Sequence, residues 1–162
     1  MKMLFRTLDY LNQNRIRYTH STHPAVFTAR QVASAEHVPA REVAKTVVYF
    51  GDNGFGMVVL SADYVVNFGE VLRLMGLTHI RMATEAELGD LFPECELGAM
   101  PPLGNLFEMP VLVDENLAEE GVITFNAGTH RDVVHMTFAD YRDLVNPLIA
   151  NFTVREEVAI EC

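Results

Sequence analysis

Apolar residues recur at helical spacing in several stretches of the chain. Leu4, Leu8 and Leu11 fall on one face of a helix, which predicts an amphipathic helix over residues 2–14. Elsewhere a Thr or Asn that can cap a helix N-terminus precedes a periodic apolar segment. These signals predict further helices over about residues 29–38, 67–75, 84–91 and 138–145.

Runs of β-branched and aromatic residues predict strands between these helices. The strongest run is residues 47–50, and a turn at 51–54 leads to a return strand over residues 55–60. Shorter strands are predicted at residues 16–21, 80–83, 110–114, 122–125 and 133–136. Because helices and strands are mixed rather than strictly alternating, the pattern indicates an α+β fold with a mixed sheet.

Length and composition favour one cytoplasmic domain. The chain has 162 residues and is 49% hydrophobic, which is sufficient for one full core. No apolar run approaches the ~18 residues that span a bilayer, so no membrane partner is expected. The cysteines, Cys95 and Cys162, lie far apart and are interpreted as free thiols of a reducing compartment. Residues 1–145 are assigned to the domain and residues 146–162 to a C-terminal tail.

The net charge of −10 is distributed unevenly along the chain. Residues 1–45 carry seven basic and three acidic side chains, whereas the remainder carries five basic and nineteen acidic ones. This asymmetry directs any phosphate-bearing ligand to the N-terminal third, unless the charges simply solvate the surface. A long duplex footprint does not suit so acidic a chain, and DNA is not an expected partner.

The stretch from residue 98 to residue 104, Gly-Ala-Met-Pro-Pro-Leu-Gly, carries no ionisable side chain. Pro101 and Pro102 remove two backbone donors and fix two φ angles, while Gly98 and Gly104 permit backbone shapes that a Cβ would block. Such a loop is either a plain connection between elements or a rigid, apolar wall that offers main-chain groups at fixed positions.

Side chains with obvious catalytic patterns are absent from the sequence. Lys45 precedes the strongest strand between two small residues, where an ammonium could bind a phosphate or a carbonyl oxygen, or remain a solvated edge charge. Of the six histidines, His130 is the one placed at a site, with an exposed turn histidine as the alternative. Nucleophile motifs, phosphate loops and zinc-ligand spacings do not occur, so neither a metal nor a cofactor is expected.

Several landmarks in fixed order carry a resemblance to a known family. They are His23-Pro24 with Thr28, residues 44–48 (Ala-Lys-Thr-Val-Val), residues 60–63 (Leu-Ser-Ala-Asp), residues 98–104 as a GxxxPxG pattern, and residues 125–129 (Phe-Asn-Ala-Gly-Thr). Over residues 1–145 the chain resembles the YbaK/proline-tRNA-synthetase-associated domains, which include free-standing trans-editing aminoacyl-tRNA deacylases. Pro101 departs from the pattern by adding a second proline before Pro102.

This resemblance implies a mixed, partly barrel-like β-sheet surrounded by helices and hydrolysis of the ester of a mischarged tRNA. Lys45 and Gly98 match the residues implied in catalysis, with backbone N–H groups positioning water and stabilising the oxyanion. The implied substrate-binding residues are Thr46, Ala99, Met100, Pro102, Gly104, Gly128, Thr129 and His130.

The resemblance also suggests the substrate and its delivery. Ala99, Met100 and Leu103 would line a small apolar pocket, with residues 128–130 as the opposite wall. Such a pocket favours a small amino acid, and His130 directs the interpretation to alanine on tRNA(Pro). The acceptor end of the aminoacyl-tRNA is the expected partner, with a synthetase or an elongation factor recruiting it.

Two other functions remain open from the sequence. The same fold could serve as a non-catalytic module that binds a small molecule or a partner protein. It could also hydrolyse small esters that are not attached to tRNA.

Overall fold

The computed structural model describes residues 2–156. Six α-helices lie in this range: α1 (Lys2–Gln13), α2 (Ala29–Glu36), α3 (Phe68–Leu74), α4 (Glu85–Leu91), α5 (Glu115–Ala118) and α6 (Phe138–Val145). Ten strands accompany them within the described residues. They are β1 (Tyr18–Thr22), β2 (Ala44–Gly51), β3 (Gly54–Ser61), β4 (Tyr64–Val66), β5 (Arg81–Met82), β6 (Val111–Asp114), β7 (Val122–Asn126), β8 (Asp132–Thr137), β9 (Leu148–Ala150) and β10 (Thr153–Arg155).

The helix starts follow from the capping residues that the sequence offers. Thr28 and Thr84 each form a capping box. The threonine hydroxyl accepts from the backbone amide of the residue three positions later, and the side chain of that residue accepts from the threonine backbone amide. Asn67 and Thr137 cap α3 and α6 through their side-chain oxygens. The predicted helices are therefore confirmed to within one or two residues at most ends.

The main sheet has the order β5-β2-β3-β6-β9. The hairpin of β2 and β3 is antiparallel, as predicted, whereas β6 runs parallel to β3 and β9 runs parallel to β6. A second, antiparallel sheet has the order β1-β8-β7, and an isolated parallel bridge between Val43 and Thr124 joins it to the start of β2. A third sheet consists of β10 and β4. The α+β prediction with a mixed sheet is confirmed, and across residues 2–156 none of the three sheets closes into a barrel.

The largest hydrophobic core lies between the two larger sheets and the helices that cover them. Leu11 of α1, Val59 of β3, Phe125 of β7 and Tyr141 of α6 are among its members, all nearly inaccessible to solvent. No helix in residues 2–156 combines the length and apolar character needed to cross a membrane.

Residues 146–156, which the sequence interpretation set apart as part of a tail, form two strands. β9 extends the main sheet beside β6, and β10 pairs antiparallel with β4. Between them Phe152 is 1% exposed and packs in a cluster with Tyr49 and Val58. Residues 157–162 of the predicted tail lie outside the described range.

The glycine-proline loop is anchored to the core by a buried hydrogen bond. The hydroxyl of Tyr141 in α6 donates to the carbonyl oxygen of Pro102 at 2.7 Å. Complete burial raises the pKa of Tyr141, so the hydroxyl keeps its proton and remains a donor. The loop is therefore held to α6 at Pro102.

We expect Tyr141→Phe to destabilise the protein by about 1–3 kcal/mol, because the Pro102 carbonyl would remain buried without a donor. Urea unfolding followed by circular dichroism measures the change. Tyr64→Phe, at a half-buried position on β4, is the control and should stay within about 0.5 kcal/mol of the parent. An equal change in the free energy of unfolding for Tyr141→Phe and Tyr64→Phe would show that the buried hydrogen bond does not stabilise the fold.

Candidate active site

A cavity of about 440 Å³ opens where three segments of the fold meet. Its lining comes from residues 27–30 and Val32 in and before α2, residues 43–47 at the start of β2, and Gly98 with Met100. Ala62 after β3, Asn126 at the end of β7 and Glu156 beyond β10 complete it. The cavity thus lies at the junction between the two larger sheets.

Lys45 brings a half-buried ammonium group to this cavity. Its Nζ atom donates to the carbonyl oxygen of Ala62 at 3.4 Å, a long hydrogen bond that leaves most of its donor capacity free. Burial lowers the pKa of Lys45, partly offset by the nearby Glu156 carboxylate. Arg30 provides a second cation on the lining, so the site combines two positive charges with one acidic group.

Gly98 reaches the cavity from a tight turn over residues 96–99. The Ala99 amide donates to the Glu96 carbonyl oxygen at 3.0 Å, and Gly98 occupies the third position of the turn with φ of +84°. Only glycine adopts this backbone conformation without strain. Among residues 2–156, the amides of Gly98 and Met100 donate to no acceptor, so both remain available to a ligand.

His130 holds this turn from behind. Its Nε2 atom lies 2.7 Å from the carbonyl oxygen of Leu97, and its backbone amide donates to Oε1 of Glu96 at 3.0 Å. Because a carbonyl can only accept, Nε2 carries the proton. The ring of Phe27 packs on the His130 ring with centroids 4.8 Å apart. His130 therefore contacts both the turn and an aromatic residue of the cavity.

The structure brings together four of the residues that the sequence placed at the site. Lys45 and Thr46 of β2 line the same cavity as Gly98 and Met100 of the glycine-proline loop.

The other predicted site residues pack away from the cavity lining. Ala99 is fully buried and its carbonyl accepts from the Gly128 amide at 2.9 Å, while Pro102 accepts from α6. Gly104 lies so close to the Met109 carbonyl that a Cβ would be 2.5 Å from its oxygen. Thr129 is buried and donates to Asp132 at 2.6 Å. Their contacts fix the loop and the β7–β8 turn rather than face a ligand.

Several polar or aromatic residues of the lining were not among the predicted site residues. Phe27 precedes α2, Arg30 lies in its first turn, Asn126 ends β7, and Glu156 follows β10. The excess of basic residues in the N-terminal third was the available signal for Arg30. A phenylalanine in a loop is ordinarily a core residue, but Phe27 is 72% exposed, which only the fold reveals.

Neither a cation site nor a reactive thiol is found at the cavity. Across residues 2–156, no group of three or more His, Cys, Asp and Glu side chains is arranged to hold a metal ion. Cys95 is half-buried behind the turn, and burial raises the pKa of its thiol to about 12. The thiol therefore stays protonated at neutral pH.

Comparison with known proteins agrees with this architecture. The sequence profile of the family described as Aminoacyl-tRNA editing domain matches residues 23–144. The chain is 27% identical over 152 residues to the Multifunctional Ser/Thr-tRNA deacylase ProXp-y of Escherichia coli, covering 91% of this chain and 90% of that protein. A solved structure proposed to be a trans-editing enzyme for prolyl tRNA synthetase shares the fold, with TM-score 0.83 at 23% identity over 97% of this chain and 99% of that one.

Larger proteins contain a similar segment. The chain is 30% identical over 139 residues to a proline–tRNA ligase of Leuconostoc mesenteroides. That alignment covers 83% of this chain but 24% of the ligase, so the chain spans about a quarter of the length of the ligase it matches. Because the family profile covers most of its length, this chain belongs to the aminoacyl-tRNA editing domain family.

Proposed function

We propose that this protein is a trans-editing aminoacyl-tRNA deacylase that hydrolyses the ester of a mischarged tRNA. The observation that carries the proposal is the Gly98 turn, which leaves two backbone amides without acceptors beside a cavity that also contains Lys45 and Arg30. Such an arrangement suits a substrate in which a phosphate lies close to a reactive carbonyl. The names of the relatives, which describe deacylation and editing, support the same class of reaction.

The proposed chemistry is direct attack by water on the ester carbonyl carbon. The carbonyl oxygen becomes an oxyanion, the bond from carbon to the ribose oxygen breaks, and a proton from water passes to the ribose. The products are the free amino acid and the uncharged tRNA. Amides of Gly98 and Met100 are the donors assigned to the oxyanion, and pre-organised donors of this kind contribute about 10²–10³ in rate each. No side-chain nucleophile takes part.

Lys45 and Arg30 are assigned to the phosphate of the terminal nucleotide. Both cations line the cavity, and Lys45 has only one long hydrogen bond to protein. An ammonium and a guanidinium together suit a phosphate, which accepts several charge-assisted hydrogen bonds. Binding confined to the acceptor end also accommodates the acidic surface of the remaining chain, which would repel a longer stretch of RNA.

Phe27 is assigned to the terminal adenine. Its exposed ring lies at the cavity mouth and is held at an angle by His130. Splayed nucleotides are ordinarily bound by stacking on such aromatic side chains. This gives His130 a double positioning function, since it holds both the Gly98 turn and the base platform.

We expect Phe27→Ala to raise the KM for aminoacyl-tRNA by about 5- to 100-fold with little change in kcat, since stacking contributes about 1–3 kcal/mol per base. Steady-state deacylation with labelled amino acid gives both constants. Phe27→Tyr keeps the ring and should restore the parental KM, and Phe5→Ala removes another exposed phenylalanine from α1 as a control. A fall in kcat alone would contradict the assignment.

The amino acid removed is proposed to be small, with alanine on tRNA(Pro) as the first candidate. Met100, Val43 and Val32 give the cavity apolar walls next to the turn. An apolar pocket rejects a side chain that adds one methylene or one hydroxyl only about 10- to 200-fold, so serine and threonine are the natural competitors. A synthetase or an elongation factor is proposed to deliver the tRNA.

The proposal is tested with a panel of mischarged tRNAs. Release of labelled amino acid should be fastest from alanyl-tRNA(Pro), slower from seryl- and threonyl-tRNAs, and absent from correctly charged prolyl-tRNA(Pro). Hydrolysis of p-nitrophenyl acetate without hydrolysis of any aminoacyl-tRNA would instead identify an esterase of small molecules. No turnover of either class would identify a binding module and overturn the proposal.

A further inference from the structure

The segment after β10 contributes a carboxylate to the cavity. The backbone amide of Glu156 donates to the carbonyl oxygen of Asp63 at 2.9 Å, and the preceding carbonyl, that of Ala62, accepts from Lys45. The carbonyls of Ala62 and Asp63 therefore hold the ammonium of Lys45 and the backbone of Glu156, and both residues line the cavity. The residues matched by the family profile end at 144, so this carboxylate comes from outside them.

Glu156 is the single acidic side chain on the cavity lining within residues 2–156. Its Oε2 atom lies 3.4 Å from Nε of Arg30, and both side chains are 43% exposed. A carboxylate has about four acceptor sites on its two oxygens, so this one contact leaves most of its capacity free. Arg30 thus orients Glu156 without saturating it.

An aminoacyl ester presents two opposite charges close together. Its phosphate is anionic, and its free α-amino group is largely cationic at pH 7, since the ordinary pKa of such a group is about 7.7–8.0. Lys45 and Arg30 attract the phosphate but repel the ammonium. Within the lining, only Glu156 offers the ammonium an opposite charge.

We propose that Glu156 binds the α-ammonium group of the aminoacyl ester and thereby turns the ester carbonyl toward the Gly98 turn. This inference rests on the proposed function and adds a determinant of specificity to it. The carboxylate selects esters of free amino acids over esters of hydroxy acids or acylated amino acids. Its contribution is moderate, because the group is partly exposed and solvent screens the interaction.

Binding of two stable analogues tests the inference without requiring hydrolysis. The probes are 3′-deoxy-3′-(L-alanylamino)adenosine 5′-monophosphate and its L-lactylamino counterpart, which keeps the phosphate and replaces the ammonium by a hydroxyl of similar size. Isothermal titration calorimetry at pH 6.5 should show that the parent protein prefers the alanyl compound about 3- to 10-fold. Glu156→Gln should bind the two compounds equally, and Glu156→Asp should keep part of the preference.

Glu119→Gln is the matched control, because it removes the same charge from an exposed position away from the cavity. It should keep the parental preference. The inference is overturned if Glu156→Gln keeps that preference, or if neither compound binds the parent. Tighter binding of both compounds to Glu156→Gln would also overturn it, by showing that Glu156 competes with the ligand for Arg30. If the parent protein preferred the alanyl compound but deacylated no tRNA, the proposed function would be refuted and the role of Glu156 in binding would stand.

Discussion

Gly98→Ala is expected to lower kcat for deacylation by about 10²–10³-fold while the protein remains folded. The added Cβ would meet nothing closer than Cε1 of His130 at 3.8 Å, an ordinary contact, so crowding is not the cause. The φ of +84° is the cause, because an L side chain there costs roughly 1–2 kcal/mol. The turn relieves this strain by rotating its peptide groups, which removes the amides from the oxyanion position. Single-turnover kinetics on alanyl-tRNA(Pro) measures the loss.

Gly76→Ala provides the matched control for this strain. Gly76 has φ of +64°, follows α3, and a Cβ there would meet no atom within 4 Å. The two substitutions should destabilise the protein to a similar degree in urea, but Gly76→Ala should retain the parental kcat. If Gly98→Ala also deacylated at the parental rate, the oxyanion assignment would be wrong.

Lys45→Met is expected to lower kcat/KM by about 10- to 100-fold, the usual effect of losing a hydrogen bond to a charged group. Methionine has nearly the length of the lysine stem and fills the same half-buried space. Thermal stability at pH 7 should be unchanged or slightly higher, because burial disfavours the charged form of Lys45 and the substitution removes that cost. Arg17→Met removes one exposed charge from the same N-terminal third and should leave kcat/KM near the parental value. An equal fall in kcat/KM for Lys45→Met and Arg17→Met would indicate a general effect of net charge.

The lowered pKa of Lys45 predicts that KM depends on pH. The ammonium is present below this pKa and is lost as the pH rises through it, at a pH below the ordinary 10.5. We therefore expect KM to rise with alkaline pH before a surface lysine would titrate. Lys45→Arg keeps its charge throughout and should remove the part of the rise that Lys45 causes. The part that comes from deprotonation of the substrate's α-ammonium group should remain. A pH-independent KM in the parent would contradict a binding function for the ammonium.

Local signals in the sequence were sufficient for most of the fold. The β2–β3 hairpin and the capped helices depend on residues a few positions apart, and their boundaries followed from apolar spacing and capping residues. β4, β9 and β10 were not predicted, because each has three residues and exists through pairing with a strand distant in sequence. The parallel neighbours of β6 were also beyond local patterns, since parallel strands are joined by long connections.

The candidate site was accessible from sequence only where a residue carried its own chemical signal. Lys45 stood alone among small neighbours, and Gly98 began a loop of unusual composition. By contrast, the function of Gly104 depends on its distance from Met109, and that of Gly128 depends on Met3 and Leu4 packing against it. Such functions arise from contacts between residues that are not adjacent in sequence, so local patterns do not predict them. Phe27 and Glu156 are similar cases, because exposure at a cavity mouth is a property of the assembled structure.

The pairing of β1 with β8 has a kinetic consequence. Within residues 2–156, β1 is an edge strand of this sheet and pairs only with β8, which begins at Asp132. β1 therefore has no strand partner until that distant segment has been made. Contacts between segments so distant in sequence slow folding, because loop-closure entropy opposes them before packing compensates. During synthesis on the ribosome α1 and β1 therefore emerge long before they can dock. We expect refolding from urea to be limited by closure of this sheet, and the nascent N-terminal third to be a natural client of chaperones.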